Sequence, residues 1–307
     1  MVHKWLKFTF VFSVLISSFS IAQGLEEFKS GKNDFVEQST KELGKAKQFK
    51  IKTRLRYAGF FDVDGITPQQ KVLVEKISFD KNGNRKELIR YVGDEIVDLK
   101  YTFLYDAKSR LIKMETRNTG NFITGKRESK YDKAGNEIER KLFENRRGNM
   151  RVVFTYDKEG NIIETKNYDK NKKMISRYEN SFENGKAKKT TVYGINGNVQ
   201  KEIWFIYNSD GKLIREDFKQ LSNSYSVKYT YDSQGNVSEV ETPETKRLVI
   251  YNNNNDILED KMFMADGIRQ YRVVFSYLKN GLQNDETRYD NSEKAAFQSL
   301  YEYEFYK

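Results

Sequence analysis

The residues that could do chemistry are few in kind. The chain has 307 residues, no cysteine and a single histidine, His3, which lies inside an apolar leader. Beyond that leader there is neither imidazole nor thiolate, which removes Ser-His-Asp triads, cysteine nucleophiles and the usual zinc, copper or haem ligation. No GxGxxG or Walker loop occurs, so no cofactor is expected. Carboxylates are abundant, and two of them could meet at glycosidase separation on such a surface, so a polysaccharide hydrolase with paired carboxylates is the alternative to a non-enzymatic protein. The best local candidate for a metal ion is Asp62-Val63-Asp64-Gly65. It shares Asp-x-Asp-Gly with calcium loops but lacks the other oxygen ligands and the terminal Glu of an EF-hand; a turn capped by Asp62 and Asp64 is the competing reading. Trp204 is the only tryptophan after the leader, and it falls out of phase with Ile203, Phe205 and Tyr207. Strand alternation puts it on the opposite face, where an exposed indole would be the first candidate for ligand contact, against packing beneath a neighbouring strand or loop.

What must position these groups is a repeat. An aromatic followed by a turn recurs at Phe79, Tyr105, Tyr131, Tyr156, Phe182, Tyr207, Tyr231, Tyr251, Tyr277 and Tyr303, with gaps of 26, 26, 25, 26, 25, 24, 20, 26 and 26 residues. A second aromatic follows most of these anchors after 11 or 12 residues, among them Tyr91, Tyr168, Tyr193 and Tyr289. Residues before the anchors alternate, as in Val152/Phe154/Tyr156 and Val227/Tyr229/Tyr231, which is a strand signal. After the anchor comes a turn recipe: an Asp whose side chain accepts from the turn's own N–H groups, two ordinary residues, and a Gly that takes positive φ. Tyr131, Asp132 and Gly135, then Tyr156, Asp157 and Gly160, then Tyr231, Asp232 and Gly235 carry it in full, as structural turn residues. Asp106 to Arg110 lacks the Gly and Asn252 to Asn255 has Asn in its place, so these turns should be poorer.

The unit is too short for a helix between strands. The sequence therefore predicts an all-β fold: a long antiparallel β-meander of about 25-residue two-strand repeats, about eighteen strands in one sheet that twists and curls with its Tyr and Phe rows inside. The array occupies residues 51–307, and its shortened unit at Glu241-Thr242-Pro243-Glu244 is the expected kink.

The motifs Tyr131-Asp132-Lys133-Ala134-Gly135-Asn136, Tyr156-Asp157-Lys158-Glu159-Gly160-Asn161 and Tyr231-Asp232-Ser233-Gln234-Gly235-Asn236 resemble the YD repeat of Rhs proteins, over most of residues 75–305. The resemblance implies β-sheets that spiral into shells, associated with surface display, carbohydrate binding or enclosure of a toxic domain. Asn184-Gly185-Lys186 and Asp210-Gly211-Lys212 are similar to YwqK-like and MORN-like hairpin repeats, which imply the same meander.

Residues 1–22 read as a cleaved signal peptide, with Lys4 and Lys7 before the apolar run Phe8 to Ile21 and small residues at Ser20-Ile21-Ala22. The run is shorter than the roughly 20 residues of a membrane span, so no span is expected in the mature form. Residues 23–50 form a charged segment open to helix, with Asn33 or Asp34 as cap candidate; it either covers the first sheet edge or stays mobile. Removing Lys4 and Lys7 from a formal net charge of +10 leaves +8, interspersed with acids rather than gathered into blocks, which disfavours nucleic acid as a partner. A lipid-facing barrel is disfavoured because Ile162/Glu164/Lys166 and Ile163/Thr165/Asn167 put polar groups on both faces. The expected protein is secreted or periplasmic and non-enzymatic, binding a glycan or an envelope protein at a cell surface; a structural or immunity-type partner protein is a further alternative.

Overall fold

A computed structural model describes residues 39–93, 96–144, 148–220 and 222–307. The expected signal peptide and the cap candidates Asn33 and Asp34 lie outside these residues. Among the described residues, one helix, α1 (Thr40–Gln48), precedes twenty strands. The first six are β1 (Ile51–Phe60), β2 (Val72–Phe79), β3 (Arg85–Val92), β4 (Ile96–Tyr105), β5 (Leu111–Asn118) and β6 (Ile123–Tyr131). Then come β7 (Glu137–Glu144), β8 (Gly148–Tyr156), β9 (Ile162–Tyr168), β10 (Met174–Glu183), β11 (Lys186–Tyr193), β12 (Val199–Tyr207) and β13 (Leu213–Gln220). The last seven are β14 (Ser224–Tyr231), β15 (Val237–Glu241), β16 (Thr245–Tyr251), β17 (Ile257–Met264), β18 (Arg269–Tyr277), β19 (Gln283–Tyr289) and β20 (Ala295–Phe305).

Every strand pairs antiparallel with its sequence neighbours, and β1 also pairs with β20, Ile51 opposite Phe305 and Phe60 opposite Phe297. The sheet is therefore a closed barrel of twenty strands, not the open, curled sheet of about eighteen that the repeat predicts. An open meander would leave two rows of unpaired N–H and C=O groups, and the seam between β1 and β20 removes both. The shortened unit stays within the ladder: β15 and β16 pair Glu239 with Leu248 and Glu241 with Lys246, and Thr242 N–H donates to Thr245 O at 2.8 Å to close the turn.

The turns share one construction. In Asp157 to Asn161, Asp157 N–H donates to Asn161 O at 3.0 Å and Gly160 N–H to Asp157 O at 3.2 Å, while the Asp157 carboxylate accepts from Asn161 N–H and Nδ2 at 2.8 and 2.9 Å. Asp132 and Asp232 do the same with Asn136 and Asn236. These donors, the Asn above all, hold the Asp157 and Asp232 carboxyls below the usual range, as the Asn136 N–H does for Asp132. Gly135, Gly160 and Gly235 take φ of +102°, +82° and +89°. The turns without Gly keep the same hydrogen bonds, and their strain sits in the backbone: Ser109, Lys172, Asn255 and Glu293 occupy the left-handed region at φ 60°, 63°, 59° and 63°. Lys172 is exposed, so Lys172→Gly should stabilise the protein by about 0.5–1 kcal/mol. Urea melts of the two proteins measure this, and an unchanged or lowered midpoint contradicts it.

The barrel's faces differ. The inner face carries the apolar clusters: Ile51, Ile77, Phe79, Leu88, Tyr101, Met114 and Leu282 around Ala46 of α1, Val152, Phe154 and Ile162, and Ile203, Phe205, Leu213, Val227, Tyr229 and Val240. The first cluster crosses the seam, since Ile51 lies on β1 and Leu282 just before β19; burying side chains such as Ile77 and Phe79 contributes about 1.5–3 kcal/mol each. Anchor tyrosines staple adjacent hairpins from this side. Tyr131, Tyr156 and Tyr231 donate their O–H to Leu111 O, Glu137 O and Leu213 O at 2.8, 2.7 and 2.7 Å.

Helix α1 starts at Ser39, whose Oγ accepts from Glu42 N–H at 3.1 Å, and it lies across the rim where these turns gather. Lys41 and Lys45 reach the Asp256 carboxylate at 2.8 and 2.9 Å, and Glu42 pairs with Arg54 and Arg85 at 3.1 and 2.5 Å. A Cβ on Gly83 would come within 2.8 Å of Lys47 N, so the glycine lets the turn touch the helix.

The outer face is a lattice of ion pairs, including Lys126–Glu128, Arg151–Glu139, Lys166–Glu164, Lys246–Glu239 and Lys261–Glu259. This is where the second aromatic row departs from expectation. Arg151, Arg177 and Arg272 lie 5.6, 4.2 and 4.6 Å from the ring centroids of Tyr168, Tyr193 and Tyr289, so these tyrosines face outward beneath guanidinium groups. The bulge beside each anchor, as at Thr155/Tyr156, shifts the alternation by one residue, and the inside–outside phase read from the anchors does not carry through to the next strand.

Candidate functional site

The candidate site is a groove on the outer face of β8 to β11, with a volume of about 450 Å³ and a lining that includes Thr155, Glu164, Glu179, Ser181, Lys189 and Thr191. Two rows of side chains run through it and onward across β12 to β14. In the first, Thr155 stands opposite Glu164, Glu164 opposite Glu179, Glu179 opposite Thr191 and Thr191 opposite Glu202. In the second, Ser181 stands opposite Lys189, Lys189 opposite Trp204, Trp204 opposite Asp217 and Asp217 opposite Ser226. Residues directly opposite have Cβ atoms about 4.5–5.5 Å apart, so hydroxyls, carboxylates, an ammonium and an indole share one surface.

Charges hold the groove in shape. Glu164 pairs with Lys166 at 2.7 Å, and Glu179 pairs with Arg177 at 3.1 Å and accepts from Tyr193 O–H at 2.7 Å. That hydrogen bond raises the Tyr193 phenol above its ordinary value. Lys189 pairs with Glu202, and its hydrogen bond holds the Glu202 carboxyl below the usual range. The Lys189 ammonium also lies 4.7 Å from the Trp204 ring centroid. Trp204 is thus on the outer face, opposite to Ile203 and Phe205, and half-buried under its own lysine.

The two carboxylates considered for an ion lie elsewhere, in the loop between β1 and β2, where each accepts hydrogen bonds from its own loop. Asp64 Oδ1 accepts from Ile66 N–H and Thr67 N–H at 2.8 and 3.0 Å, and Oδ2 from Thr67 Oγ1 at 2.9 Å. The Thr67 N–H is the main cause holding that carboxyl low. Asp62 Oδ1 accepts from Gln69 Nε2 at 2.8 Å. Among the described residues no group of three or more His, Asp or Glu is placed to hold a metal ion.

The fold and this surface define a class: a closed antiparallel shell of hairpin repeats, held by Tyr-Asp turns and charged on its outside. The Teneurin YD-shell family matches residues 63–257, and the chain belongs to that family. Over 181 residues it is 28% identical to the tRNA3(Ser)-specific nuclease WapA of Bacillus spizizenii, a match that covers 57% of this chain and 6% of the nuclease. Among solved structures, a porin-like protein from Bacteroides uniformis is similar at 10% identity and TM-score 0.37, over 83% of this chain and 98% of that one. TcdB2-TccC3-TEV is similar at 10% identity and TM-score 0.30, over 76% of this chain and 16% of that one.

Proposed function

We propose that this chain is an exported, non-enzymatic YD-shell protein that binds a glycan along the outer groove beside Trp204. The observation that carries the reading is the two-row surface, in which Thr155, Thr191, Ser181 and three glutamates lie in register with Lys189 and Trp204. A sugar presents hydroxyls at its edge and C–H groups on its face; the first row matches the edge and the indole matches the face once Lys189 swings aside on its flexible stem. The paired charges along the outer wall support an aqueous setting, since a lipid-facing barrel needs apolar residues there.

Glu164 opposite Glu179 favours one second reading, a hydrolase with paired carboxylates; turnover of any polysaccharide by the purified protein would establish it. For the leading reading, the mature protein is screened on a glycan array and the hits are titrated against Trp204→Ala. Binding should weaken at least about tenfold, the loss of a stacked ring, with no change in melting temperature. A blank array together with a blank pull-down from envelope extract rejects the proposal.

A further inference from the structure

The inner face near the seam gathers arginines around a few acids. Arg54, Arg56, Arg85 and Arg90 surround Glu75 and Glu42: Arg54 lies 3.3 Å and Arg56 and Arg90 both 3.9 Å from Glu75, and Arg85 pairs with Glu42. Glu286 is the third carboxylate, 4.0 Å from Arg56, and accepts from Gln283 Nε2 at 3.3 Å. The fifth arginine, Arg288, forms no ion pair or side-chain hydrogen bond among the described residues, and burial lowers its guanidinium below the ordinary value. Arg288 is thus the arginine of this group with no carboxylate partner among the described residues, and Arg56 is held only at the long edge of ion-pair range.

The unmatched donors converge. Arg56 has only its two long ion pairs, and its Nε is buried without a hydrogen-bond partner, as are Arg54 Nε and Ser299 Oγ. Ser299 is 0% exposed. It stands opposite Ala58 on β1 and Glu286 on β19. Arg56 is two residues from Ala58, and Arg288 is two residues from Glu286, opposite Phe297. Both arginines are therefore diagonal neighbours of Ser299 on one face, within reach for long side chains. Tyr301, opposite Arg56, and Tyr271 are the phenols nearby. A half-buried guanidinium without a close counter-charge gains from one, and its planar fork matches an oxyanion.

We propose that Arg56, Ser299 and Arg288 form an oxyanion site on the inner face, for a phosphate, sulfate or carboxylate group. The test titrates the mature protein with inorganic phosphate, sulfate and acetate by calorimetry at fixed ionic strength, with chloride as the control. At least one oxyanion should bind saturably where chloride does not, and the tightest of the three identifies the source. Arg288→Gln and Ser299→Ala should each weaken it at least about tenfold, Arg288→Lys should fall between, and Arg215→Gln on the outer face should leave it unchanged. Melting curves in chloride confirm that each variant is folded. Equal binding by Arg288→Gln and Arg215→Gln, or no saturable heat with any of the three anions, overturns the proposal.

Discussion

Asp260→Ala should destabilise the protein by about 3–5 kcal/mol, the usual result of removing one partner from a buried ion pair. Asp260 is 1% exposed. Arg247 Nε donates to its Oδ1 at 2.9 Å and Nη2 to its Oδ2 at 2.8 Å, a two-pronged contact, and Tyr271 O–H donates to Oδ1 at 3.3 Å. The bond to Asp260 helps raise the Arg247 guanidinium above its ordinary value against the opposing effect of burial. Taking away the carboxylate removes the two-pronged counter-charge of a guanidinium that is itself buried on the inner face. The control is the double variant Arg247→Leu, Asp260→Leu, which removes both charges and should lie within about 1 kcal/mol of the parent. Urea melts of the three proteins separate the two effects. A loss below about 1 kcal/mol for the single variant, or equal losses for single and double, would mean that water already solvates Arg247.

How much of this was legible follows from how local each feature is. The turn of Asp157 to Asn161 could be read because its hydrogen-bond partners lie within four residues, and the all-β, antiparallel array followed from its recurrence. Closure could not be read, since Ile51 meets Phe305, and no local pattern reports a contact of that separation. The outward Tyr168, Tyr193 and Tyr289 were hidden by bulges, which change the phase without changing the composition. The candidate site shows the same division. Trp204 stood out as a residue type on a predictable face. Glu164, Glu179 and Lys189 did not, because they are ordinary members of a charged strand until the register brings them together. Asp62 and Asp64 were conspicuous as a motif, and in the fold Asp64 accepts from Ile66 and Thr67 and Asp62 from Gln69, contacts within seven residues. Helix α1 has Ser39 as its N-cap; what holds it on the barrel is the non-local pairing of Lys41 and Lys45 with Asp256, which no local pattern reports.

Glu216→Gln should leave stability unchanged near pH 4 and raise it progressively at higher pH. Glu216 is 8% exposed, opposite Phe205 and Val227 on the inner face. Burial pushes its carboxyl up from 4.5 to about 7, against the smaller opposing effects of Tyr229 and Lys201. Lys201 offers weak compensation because burial lowers its own ammonium, which lies 4.4 Å from the Phe218 ring centroid. A folded state that holds its proton more tightly than the unfolded chain is most favoured below the unfolded value. The advantage falls as pH rises from 4.5 towards 7 and is gone above that. The shift corresponds to about 3 kcal/mol of destabilisation by the ionised carboxylate at pH 8. Gln keeps the shape and removes the titration, so the difference between variant and parent should be near zero at pH 4 and approach that figure at pH 8. Paired urea melts at the two values measure it directly. A constant difference would show that the carboxylate stays hydrated in the folded protein, and that the aromatic cluster around Phe205 and Tyr229 leaves water a route to Glu216.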